Sequence, residues 1–495
     1  MGISVAIFIF LLGAFIFWKI APGFNINRYL LLSGWCIKLG VSIFFVWIFS
    51  LSGVDGALIQ GDSYNFYFDG QVLHQYAMQD FWGYVKLLLG FTPDNSSLVA
   101  NELAETTIWS YGNNGDLIND NRLIIKLNSI IHFFSFGNLY AHIFIFSALG
   151  YLGLMLIYKA ISPFVRNQNL LFFLLAFFPS LIFWSSGLTK ESVALFSIGL
   201  FLFSIFQILE PNFKLRIFIA LLISILLLLF NKPYIGFIII PTGLVLLIGK
   251  VFAWRKIVLL YFTMGILSVG IAFSYAPKEY NLVDKISFRQ HDMANLGKGG
   301  IFFITDSSFC AFDYSFFSHF DTLPNNKIIV NKSTRGEYKL FGPNSFYPFE
   351  ISPSPNLYER YLIKEPSRTY FETPLINNSG VSLIKQVPIS LVNTMIRPIP
   401  GEFEGFGSIA LFGVNISLLL LIIGSLLFKE KIDNKRTYIV YYLITCSILL
   451  LVLIGFTSPV FGAITRYKVP ADLFIILICQ ILIRPITSIK EVKHV

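Results

Sequence analysis

The sequence predicts an all-α polytopic membrane protein with about eleven transmembrane helices, and three observations support this. The 495-residue chain is 55% hydrophobic and only 13% charged, and its mean hydropathy of +0.69 lies outside the soluble globular range. Apolar runs of roughly 17 to 25 residues recur, each long enough to cross about 30 Å of hydrocarbon. Lysine and arginine are concentrated in alternate connections between these runs.

The predicted spans divide the chain into five regions. Residues 1–55 hold two helices, residues 139–275 a six-helix core, and residues 408–495 three helices and a short cytoplasmic tail. Two long polar loops, residues 56–138 and 276–407, separate these regions. The first run has neither a basic region before it nor a cleavage site after it, so we expect a retained membrane helix. The runs lie near residues 3–18, 31–53, 139–158, 169–187, 191–210, 215–231, 234–249, 257–275, 408–428, 437–456 and 469–483.

Basic residues mark the cytoplasmic side of a membrane, and they favour one alternate set of connections. The bias places the amino terminus and both long loops outside and the carboxyl terminus inside, in a multi-pass protein of the inner or plasma membrane. The net charge of +9 is therefore a topology signal. We expect no nucleic-acid partner, because the basic residues form no cluster in the sequence.

Both long loops carry apolar stripes at helical spacing, which predict external juxtamembrane helices. The middle of the second loop instead has short runs rich in β-branched and aromatic residues, at 327–330 and 338–341. We expect a small β-rich or irregular external insert there. The stripes comprise Phe68, Val72 and Tyr76; Leu123, Leu127, Ile130 and Phe134; and Ile384, Val387, Leu391 and Met395.

Missing motifs argue against several kinds of site. The chain has no phosphate-binding glycine loop, no paired CxxC, no HExxH and no GxSxG. Cys310 alone among four cysteines lies in a polar stretch, so we expect no disulfide framework. The histidines lack the spacing of metal ligands, which argues against a zinc enzyme. They are His74, His132, His142, His291, His319 and His494.

The predicted spans are almost free of charged residues. Lys38 is the one clear exception, and it lies near enough to the cytoplasmic end of its span for its ammonium to reach water. Ion-coupled transporters generally carry ionisable residues at mid-depth. The lack of such residues argues against that class.

The first candidate site follows the second span, where Gly61-Asp62-Ser63-Tyr64 precedes Tyr67 and Asp69. A carboxylate there could act as a general base, because partial burial against aromatic residues would raise its pKa toward neutrality. We therefore assign Asp62 as catalytic, and Tyr67 and Asp69 as substrate-binding. The alternative is that Asp62 or Ser63 only caps a surface helix.

The second candidate site is a set of basic residues at the outer ends of spans, where topology disfavours them. They could converge on one phosphate or diphosphate, which arginine grips through a planar fork and lysine contacts as a point charge. The alternative is that each residue anchors the chain at the interface, or stabilises the end of a helix. The residues are Lys190 with its neighbour Glu191, Lys232, Arg466 and Lys468, to which Arg397 is added.

Three segments give the chain a resemblance to the GT-C class of membrane glycosyltransferases, especially family-39-like and lipopolysaccharide-core-like branches that use polyprenyl-phosphate sugars. They are Asp62 with Tyr67, the segment Phe178-Pro179-Ser180 to Phe183-Trp184-Ser185, and the turn Arg466-Tyr467-Lys468-Val469-Pro470. The chain departs from that pattern because two spans precede the first loop and a single acidic residue, Asp62, replaces a tandem acidic motif. It is similar, more loosely, to O-unit polymerases of surface polysaccharides.

The resemblance implies a helical domain capped by external helices, and lipid-linked carbohydrate substrates. Asp62 would match the acidic residue that serves as base or binds a divalent metal, while Lys190, Lys232 and Arg466 could hold the leaving phosphate. We expect inverting transfer of a sugar from a polyprenyl-phosphate carrier to an envelope glycan or lipid acceptor. The alternatives are a surface-polysaccharide polymerase, a transporter or flippase of a lipid-linked sugar, and a non-catalytic scaffold.

Overall fold

The computed structural model describes residues 2–51, 61–93, 96–109, 119–210, 214–251, 261, 282–304, 308–323, 327–340, 346–359, 361–376 and 380–484. The helices in this part of the chain are α1 (Gly2–Phe24), α2 (Arg28–Leu51), α3 (Asp62–Gln79), α4 (Phe81–Leu89), α5 (Ser97–Glu102), α6 (Arg122–Ser135), α7 (Leu139–Ile161), α8 (Gln168–Phe177), α9 (Pro179–Trp184), α10 (Lys190–Ile208), α11 (Leu215–Asn231), α12 (Pro233–Val251), α13 (Leu282–Lys298), α14 (Gly380–Met395), α15 (Phe406–Leu427), α16 (Asn434–Thr457), α17 (Phe461–Tyr467) and α18 (Val469–Leu482). The strands are β1 (Gly300–Ile304), β2 (Ser308–Asp313), β3 (Phe320–Leu323), β4 (Lys327–Val330), β5 (Thr334–Leu340), β6 (Phe346–Ile351), β7 (Ser354–Glu359) and β8 (Tyr361–Lys364).

Long apolar helices make this a helical membrane protein. Within the described residues, six helices are long and apolar enough to cross a membrane: Ser4–Phe24, Arg28–Ser50, Leu139–Phe164, Lys190–Ile208, Phe406–Leu427 and Asn434–Thr457. Shorter apolar helices cover Gln168–Phe177, Leu215–Asn231, Pro233–Gly249 and Val469–Leu482. The run predicted near 257–275 lies outside the described residues, apart from residue 261.

The run expected to form one span over 169–187 is divided into α8 and α9. Pro179 has no backbone N–H and disfavours helical geometry in the residue before it. Phe178 accordingly adopts an extended conformation, with φ −62° and ψ 129°. The break leaves an apolar groove of about 230 Å³ beside α15, lined in part by Phe173, Phe177 and Leu421.

Helices α7 and α10 run parallel and nearly touch, because glycine lies at their contact. A Cβ atom on Gly153 would lie 2.5 Å from the carbonyl oxygen of Leu195, and one on Gly199 would lie 2.2 Å from the carbonyl oxygen of Gly153. Ser192 lies level with Gly150 in this contact. At a rise of 1.5 Å per residue, Lys190 therefore lies roughly 13 Å along the bundle from the first residue of α7.

The first polar loop forms helices α3 to α6, of which α3 and α6 carry the predicted apolar stripes. The face of α6 that packs against the rest of the protein differs from the apolar stripe, which is predicted to lie next to the membrane. Ile124, Ile125 and Asn128 are buried, while Ile130 and Phe134 are exposed. This face of α6 is buried because α3 packs closely against it. At Gly70 of α3 the two helices are so close that an added Cβ atom would lie 2.6 Å from the Cβ atom of Asn128.

The second polar loop contains the predicted β-rich insert. Strands pair in the order β6-β5-β2-β1-β8 in one antiparallel sheet and β3-β4-β7 in another. Backbone hydrogen bonds tie the segment after the insert to the residues before α17: Phe461 N–H donates to Thr369 and Phe371 N–H donates to Pro459, at 2.9 and 3.0 Å. This attachment fixes α17, which carries Arg466.

The glycine contact between α7 and α10 predicts that adding a methyl group at this contact lowers the stability of the protein. Replacing Gly199 by Ala should destabilise the protein by about 1–3 kcal/mol, because the added methyl meets backbone that cannot rotate away. Replacing Gly413 of α15 by Ala is the matched control, since its Cβ would meet nothing within 4 Å. Thermal unfolding in detergent measures both variants, and equal melting temperatures would contradict the packing described here.

Candidate functional site

In the part of the chain that the structure describes, six charged side chains from five segments meet at one place, which we call the ion cluster. Its three cations are among the four basic residues, Lys190, Lys232, Arg466 and Lys468, that the sequence places at the outer ends of spans. Its carboxylates come from the first polar loop and from α10. The members are Asp62, Asp120, Lys190, Glu191, Lys232 and Arg466.

Glu191 forms the centre of the ion cluster. Its Oε1 atom accepts from Lys232 Nζ at 2.6 Å and from Arg466 Nε at 2.7 Å. The side chains of Glu191 and Lys232 are buried, so these charges interact in a medium of low dielectric constant. Glu191 Oε2 is also buried and has no hydrogen-bond partner among the described residues.

Lys190 occupies the side of the cluster next to the first polar loop. Its Nζ lies 2.5 Å from Asp120 Oδ1 and 5.8 Å from the centre of the Phe66 ring on α3. The carbonyl of Lys190 accepts from Asn231 Nδ2 at 2.8 Å. This bond joins the start of α10 to the end of α11, the turn that carries Lys232.

Lys232 is held between two helices because Pro233 follows it. A residue before proline avoids helical geometry, so α11 ends at Asn231 and α12 begins at Pro233. The Lys232 ammonium lies 5.2 Å from the Tyr467 ring and 5.7 Å from the Tyr234 ring. These aromatic faces add cation–π attraction to the ion pair with Glu191.

Asp62 lies at the open side of the cluster and pairs with Arg466. Arg466 Nη1 donates to Asp62 Oδ2 at 2.7 Å. The alternative that Asp62 serves as the helix cap does not hold, because Gly61 is the N-cap residue of α3 and offers no side chain. The fork of Arg466 thus bridges Asp62 and Glu191.

The expected rise in the pKa of Asp62 is wrong for this arrangement. Partial burial does act to raise that pKa, but the Arg466 guanidinium and the Lys190 ammonium outweigh it. The pKa of Asp62 therefore lies below its ordinary value. In this geometry Asp62 is a weak base, and it could accept a proton well only after leaving Arg466.

The turn that leads into Lys190 is recessed in the bundle, with Ser185, Ser186 and Thr189 buried. Lys38 of α2 donates from Nζ to Ser185 Oγ at 2.6 Å and to Ser186 Oγ at 3.3 Å. Ser147 of α7 donates to the Ser186 carbonyl at 2.7 Å. Lys38 is buried at this contact, so the expectation that its ammonium reaches water is wrong.

Lys468 does not join the ion cluster, although only one residue separates it from Arg466. Helix α17 ends between them, and Lys468 turns into the bundle. There its ammonium lies 3.3 Å from Asp472 Oδ1, donates to the Thr394 carbonyl at 3.0 Å and contacts Asn415 Oδ1. This fully buried pair adds two ionisable residues to a bundle that the sequence suggested had almost none.

Arg397 also lies apart from the ion cluster. Its guanidinium pairs with Glu402, with Nε 2.9 Å from Oε1, and lies 4.5 Å from the centre of the Phe371 ring. Hydrogen bonding from Arg397 lowers the pKa of Glu402. The contacts favour the structural alternative for Arg397, which closes the turn after α14.

Tyr67 and Asp69, expected to bind substrate, are placed away from the cluster. The Tyr67 hydroxyl donates to the Gly137 carbonyl at 2.6 Å. Asp69 is buried and accepts from the backbone N–H groups of Thr107 and Ile108, at 2.7 and 2.9 Å. Burial raises the pKa of Asp69, while these hydrogen bonds oppose the rise. Both residues tie the first polar loop together.

Three histidines, His74, His132 and His142, meet between α3, α6 and α7. The ring centres of His132 and His142 are 4.4 Å apart, and those of His74 and His132 are 5.8 Å apart. Burial lowers the pKa of His132 to about 4, so its ring is neutral at physiological pH. Within the described residues, no group of three or more His, Cys, Asp or Glu side chains could hold a metal ion.

Sequence reasoning missed Asp120 and the contact from Asn231. Asp120 belongs to no motif, but it lies two residues before the amphipathic helix α6, in the same loop as Asp62. An acidic residue next to such a helix could have been weighed as a partner for the outward lysines. Comparison with protein-family models, curated proteins and solved structures finds no match to the chain.

The shared carboxylate oxygen predicts that Glu191 is essential to folding. Replacing Glu191 by Gln leaves Lys232 buried without a counter-charge and Arg466 with Asp62 alone, and should destabilise the protein by about 3–5 kcal/mol. The matched control is Glu210→Gln, which removes an exposed ion pair with Lys435 and should cost about 0–1 kcal/mol. Melting temperatures in detergent report both changes, and a similar loss in the two variants would argue against Glu191 as the centre of the cluster.

Proposed function

We propose that this protein is a membrane glycosyltransferase of GT-C type. It transfers a sugar from a polyprenyl-phosphate carrier to an envelope glycan or lipid acceptor, on the non-cytoplasmic face of the inner or plasma membrane. The proposal includes about eleven spans, with the amino terminus and both polar loops outside and the carboxyl terminus in the cytoplasm.

The observation that carries this proposal is the meeting of Lys190, Lys232 and Arg466. These cations come from three separate turns, all on the side of the chain that is otherwise poor in basic residues. A buried or recessed group of fixed cations suits a phosphate that gains charge as a sugar departs. The resemblance of the sequence to GT-C enzymes supports the same reaction.

The proposed chemistry is a single displacement. An acceptor hydroxyl loses its proton to a carboxylate oxygen of Asp62, and its oxygen forms a bond to the anomeric carbon. The bond from that carbon to the phosphate oxygen breaks, and the oxygen keeps the electron pair. Lys190, Lys232 and Arg466 stabilise the departing phosphate, and the anomeric centre is inverted.

The groove beside the α8–α9 break supports a lipid carrier. It is apolar, and its residues Phe178 and Pro179 begin the short helix that ends at Trp184. The Trp184 ring lies 6.0 Å from the Arg466 guanidinium. A carrier whose chain followed this groove would bring its phosphate toward the ion cluster while its chain remained among apolar side chains.

The first test is Asp62→Asn in a strain that lacks the natural gene. Because the amide cannot accept the proton, we expect loss of sugar transfer and accumulation of the polyprenyl-phosphate donor. Mass spectrometry of envelope glycans and lipid carriers measures both, and size-exclusion chromatography checks folding. Normal glycans in a folded Asp62→Asn strain would remove Asp62 from the mechanism.

Two further arms sharpen this test. Glu210→Gln, in an exposed pair with Lys435, is the control for a simple loss of negative charge and should leave the glycan profile unchanged. Product length separates single transfer from O-unit polymerisation, which would use the same cluster. Addition of a chelator or of Mg²⁺ to purified protein reports whether a divalent metal takes part.

Transport of a lipid-linked sugar is the second candidate, because the bundle contains more buried ionisable groups than its sequence suggested. Lys38, Lys468 and Asp472 are all buried among the helices. Such groups occur in proton or ion pathways of transporters. This observation reverses the argument against an ion-coupled transporter.

A substitution in the buried pair separates the two candidates. A transporter should lose donor translocation in the paired variant Lys468→Met with Asp472→Leu, which removes both charges and leaves neither unpaired. A transferase should keep sugar transfer by purified protein in detergent, where no translocation is needed. Loss of transfer in detergent by this folded double variant would favour a role of the pair in the reaction itself.

A further inference from the structure

The carboxylates of the ion cluster differ sharply in exposure. The Glu191 side chain is 2% exposed, whereas that of Asp120 is 36% exposed and that of Asp62 is 57% exposed. All three cationic side chains are at most 18% exposed. The cluster therefore has a fixed inner carboxylate and two outer carboxylates that water can reach.

The inner carboxylate cannot balance the cations alone. Lys232 and Arg466 share one oxygen of Glu191, and Lys190 is paired with Asp120 instead. Among the described residues, three positive charges would face one negative charge without the outer carboxylates. The excess of two matches a phosphate monoester, which carries about −1.5 to −2 at neutral pH and is the form in which the carrier departs once its sugar has been transferred.

We propose that Asp120 and Asp62 are displaceable counter-ions, and that a phosphate group binds the ion cluster by replacing their carboxylates on Lys190 and Arg466. Glu191 stays in place and keeps Lys232 and Arg466 correctly positioned. The ligand class is a phosphate head group on an isoprenoid chain, so the inference rests on the proposed function and adds Asp120 to its site.

Exchange of the carboxylates has a consequence for the reaction. Once phosphate oxygens occupy Arg466, Asp62 loses the partner that makes it a weak base. The same binding event that fixes the donor then frees Asp62 to take the proton of an acceptor hydroxyl. Arg466 thus binds the phosphate first, and Asp62 accepts the proton of the acceptor hydroxyl afterwards.

The test measures binding of farnesyl monophosphate to purified protein in detergent, with farnesol as the probe that lacks phosphate. A competing carboxylate weakens phosphate binding, so Asp120→Asn and Asp62→Asn should each bind farnesyl monophosphate about three- to tenfold more tightly than the natural chain. Farnesol affinity should not change. Glu210→Gln, outside the cluster, should bind both probes as the natural chain does.

Three outcomes are informative. Unchanged or weaker binding by Asp120→Asn, repeated in Asp120→Ala, would overturn the exchange while leaving a phosphate site intact. Binding that does not fall in Lys190→Gln would show that phosphate does not use the cluster, and would overturn the proposed function as well. Tighter binding in both aspartate variants, with loss of sugar transfer in Asp62→Asn, is the expected result.

Discussion

One carboxylate oxygen organises the polar end of this bundle. Glu191 Oε1 receives both Lys232 and Arg466, and so links α10 to the turn between α11 and α12 and to α17. Without this pairing, the buried charges of Glu191 and Lys232 would lie isolated in apolar surroundings, which is strongly unfavourable. The pairing of these residues makes the recessed start of α10 possible. The outer ion pairs, of Arg466 with Asp62 and of Lys190 with Asp120, supplement the two ion pairs that Glu191 forms.

The chain places neighbouring cations in different surroundings by ending a helix between them. Arg466 completes α17 and faces the cluster, while Lys468 lies inside the bundle with Asp472. The backbone pairing of Thr369 with Phe461 fixes the direction of α17 and thereby the side on which Arg466 emerges. The segment that follows the β-rich insert thus contributes to the position of the site, although none of its described residues belongs to the cluster.

Hydropathy made most helices predictable, because a bilayer selects runs of apolar residues and leaves their ends polar. The break at Phe178 was readable in principle from Pro179. The α6 contact was not, because the apolar stripe of α6 gives no sign that the face bearing Asn128 packs against α3. The spacing of apolar residues shows that a helix has an apolar and a polar face, but the neighbouring element determines which face is buried.

The cluster itself was half predictable. The predicted topology identified Lys190, Lys232 and Arg466 as exceptional, but ion pairs depend on contacts between distant segments, such as Asp62 and Arg466, which are 404 positions apart.

The ion pairs of the cluster differ in exposure, and they should therefore respond differently to ionic strength. Dissolved ions screen charges that water reaches and hardly affect buried ones. Concentrated salt would therefore weaken the hold of Arg466 on Asp62 and leave its bond to Glu191 nearly unchanged.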